Sequence, residues 1–350
     1  MPDNRSPDCA PVKCDIAIIG AGPTGLFAAY YAGFRGRTAA VIEAMPVIGG
    51  QVSAMYPDKL IHDVAGFPSV AGQELIDGLE RQAAPFDPTY ILGEQAASVT
   101  HSGEPTGADG AIRIATAAGT TIDAAAVIIA AGVGGFTPRS LSPGSGIRPG
   151  DVDHFVRDIE AHRGRHIVVV GGGDSALDWA TTLANVASSV TVVHRRSTFR
   201  AHEHSVRTAA QRGIRLLTEA HVVGSTYSPK LTAVTVETTA GSQEMVRCDR
   251  VVAALGFTAR LGPLLDWGLN VEHNRQVRVD TRMQSSAPRI FAAGDISTYP
   301  GKVPLITVGF GEAATAVSNA CRLIDPTAPL FGGHSTTEAR SESANQAAYQ

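Results

Sequence analysis

The apolar and polar positions of this chain follow one pattern twice. Residues 14–19, Cys-Asp-Ile-Ala-Ile-Ile, form a short apolar run that ends in Gly20-Ala-Gly-Pro-Thr-Gly25. Such a run closed by glycine predicts a buried strand, and the longer apolar stretch behind it predicts a helix leading to a second strand over 38–43. Residues 165–171 repeat the arrangement. There Arg-His-Ile-Val-Val-Val-Gly runs into Gly171-Gly-Gly-Asp-Ser-Ala176, then a helix through 178–187 and a strand over 189–196. Each half continues in β character, over 95–100, 111–116 and 127–131 in the first and over 221–237 and 245–255 in the second. Breaks at 225–229 and 239–241 divide the latter. Leu75, Ile76 and Leu79 give one apolar face to a helix over 72–84, and a further helical run spans about 307–324. Residues 45–59 carry neither period and read as a long irregular segment, which inside a compact domain is usually functional.

The glycine spacing adds chemistry to this pattern. Strand, Gly20-x-Gly22-x-x-Gly25, helix and acidic strand end together make a dinucleotide fingerprint. Gly20 permits the tight turn, Gly22 lets a pyrophosphate approach the backbone, and Gly25 lets the helix pack on the strand. The helix N-terminus offers N–H groups and a positive dipole end to the phosphates. Glu43 ends the second strand, 23 residues after Gly20, where a carboxylate can accept from a ribose hydroxyl. The same count from Gly171 reaches His194-Arg195-Arg196, with Arg200 close behind. Arginines there favour a 2′-phosphate through charge-assisted bonds. The first site is therefore expected to take FAD or NAD, and the second NADP, with Gly172, Gly173, Asp174 and Ser175 forming the second turn.

The fold class expected is α/β, with two Rossmann-like dinucleotide-binding domains. The run 289–295, Arg-Ile-Phe-Ala-Ala-Gly-Asp, has no glycine fingerprint of its own, so it is assigned back to the first domain. The second domain is then inserted into the first. The expected boundaries are 12–137 and 259–334 for the first, 138–258 for the second, and 335–350 for a polar C-terminal extension.

Composition narrows the class without changing it. A chain of 350 residues has room for two cores, and 44% apolar with 18% charged residues is that of a soluble globular protein. A net charge of −4 argues against bulk attraction to nucleic acid or to an anionic membrane surface. Cys9, Cys14, Cys248 and Cys321 stand singly, without CxxC or metal-ligand spacing, as reduced thiols of a cytoplasmic protein would. Residues 1–11 read as a polar tail, and no apolar run approaches eighteen residues. His202-Glu-His204 sets its histidines at i and i+2, on nearly opposite sides of a helix, so no metal is expected there.

Several stretches together carry a resemblance. They are Gly20-Ala-Gly-Pro-Thr-Gly-Leu26, Gly49-Gly-Gln-Val-Ser-Ala-Met-Tyr-Pro-Asp-Lys59, Asp63-Val-Ala-Gly-Phe-Pro68 and Gly171-Gly-Gly-Asp-Ser-Ala-Leu-Asp-Trp179. His194-Arg-Arg-Ser-Thr-Phe-Arg-Ala-His-Glu-His204, Ala293-Gly-Asp295 and the run Tyr299–Ala314 complete the set. In this order they resemble flavoprotein pyridine-nucleotide reductases of the thioredoxin-reductase type, most closely ferredoxin–NADP reductases, from residue 14 to about 336. The resemblance implies FAD at the first site and NADPH at the second. It implies that Glu43 holds the adenosine ribose, Gln51 lies along the flavin, Asp295 bonds the ribityl chain and Tyr56 stacks on the ring. Ala96 and Phe136 match positions that contact the nucleotide and the ring edge, and the helix after Pro304 aims its dipole at the flavin. His334 and Thr336 match a tail that, in the family, crosses a homodimer to cover the other ring face.

Two departures bear on the acceptor. Thioredoxin reductases carry a redox CxxC shortly before the second glycine turn, where this chain has Asp151-Val-Asp-His-Phe155. A related thiol-disulfide group has cysteine in the first turn, at the position of Thr24. Both point to direct electron transfer with ferredoxin or flavodoxin, and to no catalytic acid, base or nucleophile. The alternative is an NADPH-dependent flavin reductase acting on a quinone, a small disulfide or a biosynthetic intermediate.

Overall fold

In the computed structural model the described residues are 10–103, 110–156 and 158–334, with only the backbone described at 136–138 and 257–259. Cys9, Thr336 and the extension 335–350 lie outside them. The chain divides into two compact units, 1–135 with 259–350, and 136–258.

In the first unit β1 (Val12–Ile19) passes through the glycine turn into α1 (Pro23–Phe34) and β2 (Ala39–Glu43). Then come α2 (Gly50–Met55), α3 (Gly72–Ala83), β3 (Thr89–Leu92), β4 (Ala96–Ser102), β5 (Ala111–Thr116) and β6 (Thr121–Ile129). The sheet order is β3-β2-β1-β6-β5-β4. β1 pairs parallel with β2, Ile16 opposite Ala39, and with β6, Ile16 opposite Ala126. β6 has two neighbours on its other side. Its first half takes β5 antiparallel, Ala124 opposite Ile112, and its second half takes the late strand Ile290–Ala292 parallel, Val127 opposite Ile290. This division brings the residues after Gly256 back into the first sheet. Ile16, Ala17, Ile18, Val41 and Ile128 are fully buried, which is why β1 and β2 read as continuous apolar runs and not as alternation. Each such Val or Ile contributes about 1.5–3 kcal/mol.

The second unit holds β7 (Val152–Asp153), β8 (His166–Gly171), α4 (Asp174–Leu183), β9 (Ser189–Val193), α5 (Glu203–Gln211) and β10 (Arg215–Leu217). After them come β11 (Ala220–Ser228), β12 (Lys230–Thr238), β13 (Gln243–Arg247) and β14 (Arg250–Ala254). The order β7-β14-β8-β9-β10 is a parallel sheet, and β11-β12-β13 form an antiparallel meander. The chain crosses between the units in two short strands, Gly135–Pro138 and Phe257–Arg260, which pair with each other. The first unit closes with α6 (Ile306–Ile324).

Three expectations need correction. Residues 45–59 are not irregular throughout, because α2 occupies Gly50–Met55. Gly49 starts it in the left-handed region at φ +107°, and six residues are too few for a helical period to show. The second helix lies earlier than 178–187, since the glycine turn runs straight into it and Asp174 sits in its first turn, favourable to the positive helix end. The strand expected over 189–196 stops at Val193, where His194 turns the chain.

Candidate functional site

The carboxyl ends of the parallel strands in the first unit meet at one place. Gly20 N–H donates to Ile42 O at 2.8 Å, Ala130 N–H to Ile19 O at 2.8 Å, and Ala293 N–H to Ile129 O at 2.9 Å. The three glycines of the turn differ in what surrounds them. Gly20 lies at φ +105°, and a Cβ there would stand 2.6 Å from Ala130 O. One on Gly25 would stand 1.9 Å from Gly20 O, so this glycine lets helix and strand touch. One on Gly22 would meet no protein atom within 4 Å, so the N-terminus of α1 is open there to a ligand backbone. Glu43 is 8% exposed. Its carboxylate accepts from Ala21 N–H at 2.8 Å and Met45 N–H at 2.9 Å, holding the turn while keeping lone pairs for a further donor. Gly49 N–H donates to Ala21 O at 2.8 Å, tying the segment before α2 to the same turn.

Other expected residues converge here from distant parts of the chain. Gln51 reaches Gly132, where a Cβ would stand 2.9 Å from Gln51 Nε2. Gly294, at φ +78°, and Gly309 on α6 both close on Thr24, with Cβ positions 2.8 and 2.5 Å from Thr24 Oγ1. Thr24 thus joins the start of α1, the Asp295 segment and the first turns of α6. Asp295 follows Gly294 in a short 3-10 turn and is exposed. Desolvation pushes its pKa up, with Lys302 opposing and Glu312 adding to the rise. Half-buried Tyr56 caps α2, and its phenol is pushed up by burial first and then by the charges of Asp295 and Asp63. Ala96 opens β4, two residues after Glu94 N–H donates to Glu43 O at 3.0 Å. Phe136 lies in a crossing strand, its side chain outside the described ones. A pair that sequence reasoning passed over, Lys302 and Glu312, is buried against the backbone of Gly294. Their opposite charges ten residues apart were visible, but nothing in sequence distinguishes a buried pair from a solvated one.

The second unit repeats the turn with different flanks. A Cβ on Gly171 would stand 2.4 Å from Ala254 O, and one on Gly172 would fall 2.1 Å from His194 Nδ1. Gly173 is the N-cap of α4, and the atom nearest its Cβ position is Arg200 Nη2 at 4.0 Å. Arg200 N–H donates to Gly172 O at 2.8 Å, and Asp174 Oδ1 accepts from His202 N–H at 2.9 Å. Ser175 follows on the exposed side of the first turn of α4. His194 is 7% exposed, donates from Nε2 to Thr198 O at 3.0 Å and stacks on Phe199. Burial, together with Arg196, Arg200 and Arg195, lowers its pKa against the raising bond to Thr198, so the ring is neutral and builds the turn. Arg195, Arg196 and Arg200 are exposed, and among the described residues no carboxylate pairs with any of them.

Cys14, Cys248 and Cys321 are unpaired. Burial pushes the Cys14 and Cys248 thiols up to about 12 and raises Cys321 as well. Iodoacetamide at pH 8 should therefore leave all three unmodified in the folded protein and label them after denaturation, as read by peptide mass mapping. Rapid labelling of any of them in the folded chain would contradict the burial. The segment at 151–155 is held by polar bonds. Asp153 takes a bidentate bond from Arg250 at 2.6 and 2.7 Å, and Asp151 accepts from Tyr227 Oη at 3.1 Å. His202 precedes α5 as its N-cap while His204 lies within it, and among the described residues no metal-binding cluster of His, Cys, Asp and Glu occurs. Nor is any helix there long and apolar enough to cross a membrane.

The C-terminal segment leaves the first unit at a defined point. Arg35, just past α1, donates to Leu330 O at 3.0 Å, Pro329 O at 2.5 Å and Ser318 Oγ at 3.0 Å. His334 sits edge-on to Phe331 at 4.9 Å. The tie is at the opposite end of α1 from the glycine turn, about 18 Å away for a twelve-residue helix.

A glycine turn at the carboxyl ends of parallel strands in each of the two units, one flanked by a carboxylate and one by arginines, makes two candidate nucleotide sites. The family model described as pyridine nucleotide-disulphide oxidoreductase matches residues 14–320. This chain belongs to that family. It is 50% identical over 324 residues to a ferredoxin–NADP reductase of Salinispora arenicola (strain CNS-205), covering 93% of this chain and 98% of the relative. The ferredoxin–NADP reductase of Saccharopolyspora erythraea is 48% identical over 329 residues, with coverage of 93% and 98%. Among solved structures, the thioredoxin reductase of T. acidophilum matches with a TM-score of 0.73 at 24% identity, over 90% of this chain and 99% of that one. That of Lactococcus lactis gives 0.72 at 23%, over 89% and 99%. These two show the fold: α/β, two dinucleotide-binding domains, thioredoxin-reductase-like.

Proposed function

We propose that this chain is a ferredoxin–NADP reductase, which passes electrons between NADPH and ferredoxin or flavodoxin through FAD, without a redox-active disulfide. The observation that carries this reading is the contrast between the two strand ends. Glu43 is buried and holds the first turn, whereas Arg195, Arg196 and Arg200 stand exposed beside the second, without a carboxylate partner among the described residues. A carboxylate suits a free ribose, and arginines suit a 2′-phosphate. The open backbone at Gly22 and the converging polar groups fit a dinucleotide at the first turn. FAD, when bound there, supplies two-electron acceptance from NADPH and one-electron release to the partner.

The chain's own residues bind and orient. Gly20, Gly22 and Gly25 hold the FAD pyrophosphate at the start of α1, with Thr24 packed behind. Glu43 takes the ribose, Gln51 and Asp295 the flavin side, and Tyr56 a ring face. Ala96 and Phe136 serve as nucleotide and ring-edge contacts. Gly172, Gly173, Asp174 and Ser175 carry the NADPH pyrophosphate at the start of α4, with His194 shaping the turn under them. His334 and Thr336 complete the ring cover of a second copy, making the working form a homodimer in the cytoplasm. Support for the second copy comes from the Arg35 tie, which keeps the segment at the far end of its own α1.

The test is NADPH-dependent cytochrome c reduction with and without ferredoxin across a salt series. The rate should depend on ferredoxin and vary with ionic strength, because charge steering is screened. Fast disulfide reduction with no ferredoxin response would sink the proposal and favour the alternative reductase.

A further inference from the structure

Glu312 and Lys302 are the most deeply buried ion pair beside the first site, with side chains 4% and 8% exposed, and no role above uses them. Their contacts centre on one residue. Glu312 Oε2 accepts from Gly294 N–H at 2.7 Å and Ser297 Oγ at 3.3 Å, and its Oε1 accepts from Tyr299 Oη at 2.6 Å. Lys302 Nζ donates to both carboxylate oxygens, to Gly294 O at 3.1 Å and to Ser297 Oγ at 3.3 Å. Ser297 Oγ also donates to Gly294 O at 2.8 Å. The N–H of Gly294 is thus held by the anion of the pair, and its C=O by the cation.

Gly294 is the residue before Asp295, and Glu312 stands on α6, six residues from its start. The pair therefore fixes in one arrangement both the direction of Asp295 and the position of the helix start. Burying two charges is costly, and an apolar pair of similar volume would stabilise a core as well. Both polar atoms of this left-handed glycine must be satisfied away from water, and the pair does so together with Ser297. The two charges also offset each other: Lys302 lowers the Asp295 pKa and Glu312 raises it.

We infer that Lys302 and Glu312 are positioning residues for the Asp295 segment, and that their balanced charges set the potential felt by the flavin. The inference rests on the FAD reading. The experiment uses the full chain as Lys302→Met, Glu312→Gln and the double variant. FAD affinity is measured on apoprotein by flavin fluorescence quenching, and the flavin midpoint potential by dye equilibration. Lys302→Met should weaken FAD at least tenfold and lower the potential, since an uncompensated carboxylate opposes reduction. Glu312→Gln should weaken FAD and raise the potential. The double variant should return the potential toward the parent while FAD stays weak. It leaves no unpaired buried charge, so it keeps the test available where a single variant fails to fold. Tyr299→Phe, which removes one bond and no charge, should weaken FAD only a few-fold at unchanged potential. Folded variants with parental FAD affinity and potential would overturn the inference, as would potentials moving the same way in both single variants. A parent chain that binds no FAD would instead reject the underlying cofactor reading.

Discussion

Alanine at Arg195, Arg196 and Arg200 together should weaken NADPH binding about a hundredfold and leave NADH within about twofold. A charge-assisted bond to a buried phosphate contributes roughly 1.5–3 kcal/mol. These three side chains are exposed, so screening reduces each, and a combined loss of about 2.7 kcal/mol is expected, or two factors of ten. Arg195→Ala alone should account for about tenfold. The selectivity is the decisive part, because among the described residues no carboxylate pairs with these arginine side chains. Calorimetric titration with both coenzymes reads it directly. Equal losses for NADPH and NADH would mean that the arginines shape the turn and do not read the phosphate.

Alanine at Gly22 and alanine at Gly25 should part ways, though both belong to one motif. Gly25→Ala drives a Cβ to 1.9 Å from Gly20 O, where the neighbour is backbone and cannot rotate aside. That overpacking should cost about 3 kcal/mol, lowering the Tm of a chain of 350 residues by roughly 4 °C. Gly22 is extended at φ −73° and ψ −178°, a conformation alanine adopts, and its Cβ would meet nothing within 4 Å. The Gly22→Ala apoprotein should keep its Tm within about 2 °C, the size of a surface change. Its FAD affinity should nevertheless fall at least tenfold, since the methyl fills the space a pyrophosphate needs. Scanning calorimetry of the apoprotein and flavin titration separate the two quantities. A Gly22→Ala chain that binds FAD normally would remove the first turn as the phosphate site.

Continuous burial made most of the frame readable. β1, β2, β8 and β9 are covered on both faces, so their apolar runs stand out wherever one looks. The glycine turns were readable because Gly20, Gly25, Gly171 and Gly172 each have a steric reason that no side chain can share, while Gly22 leaves its space open. α2 was missed because six residues show no period, and its start depends on a left-handed Gly49. The return of Ile290–Ala292 to the first sheet followed only from the lack of a third fingerprint; its seat beside the second half of β6 is a matter of space. His194 illustrates a different limit. Position alone groups it with the arginines, but its ring is buried, bonded to Thr198 and stacked on Phe199, which the folded turn and not the spacing decides. The Lys302–Glu312 pair is the same case with charges.

The two chain crossings give the inserted unit the character of a cassette. Within the first unit the cut ends lie side by side, a Cβ on Gly134 standing 2.4 Å from Arg260 O. Within the second, Arg139 N–H donates to Gly256 O at 3.0 Å, so its two ends are also already joined. Residues 136–258 thus leave and re-enter the chain at one seam. On the proposed function, the residues expected to distinguish one nicotinamide coenzyme from another, from Gly171 to Arg200, lie on the inserted side of that seam. On that reading, coenzyme preference should be exchangeable as a block, by grafting, without touching a residue of the first unit.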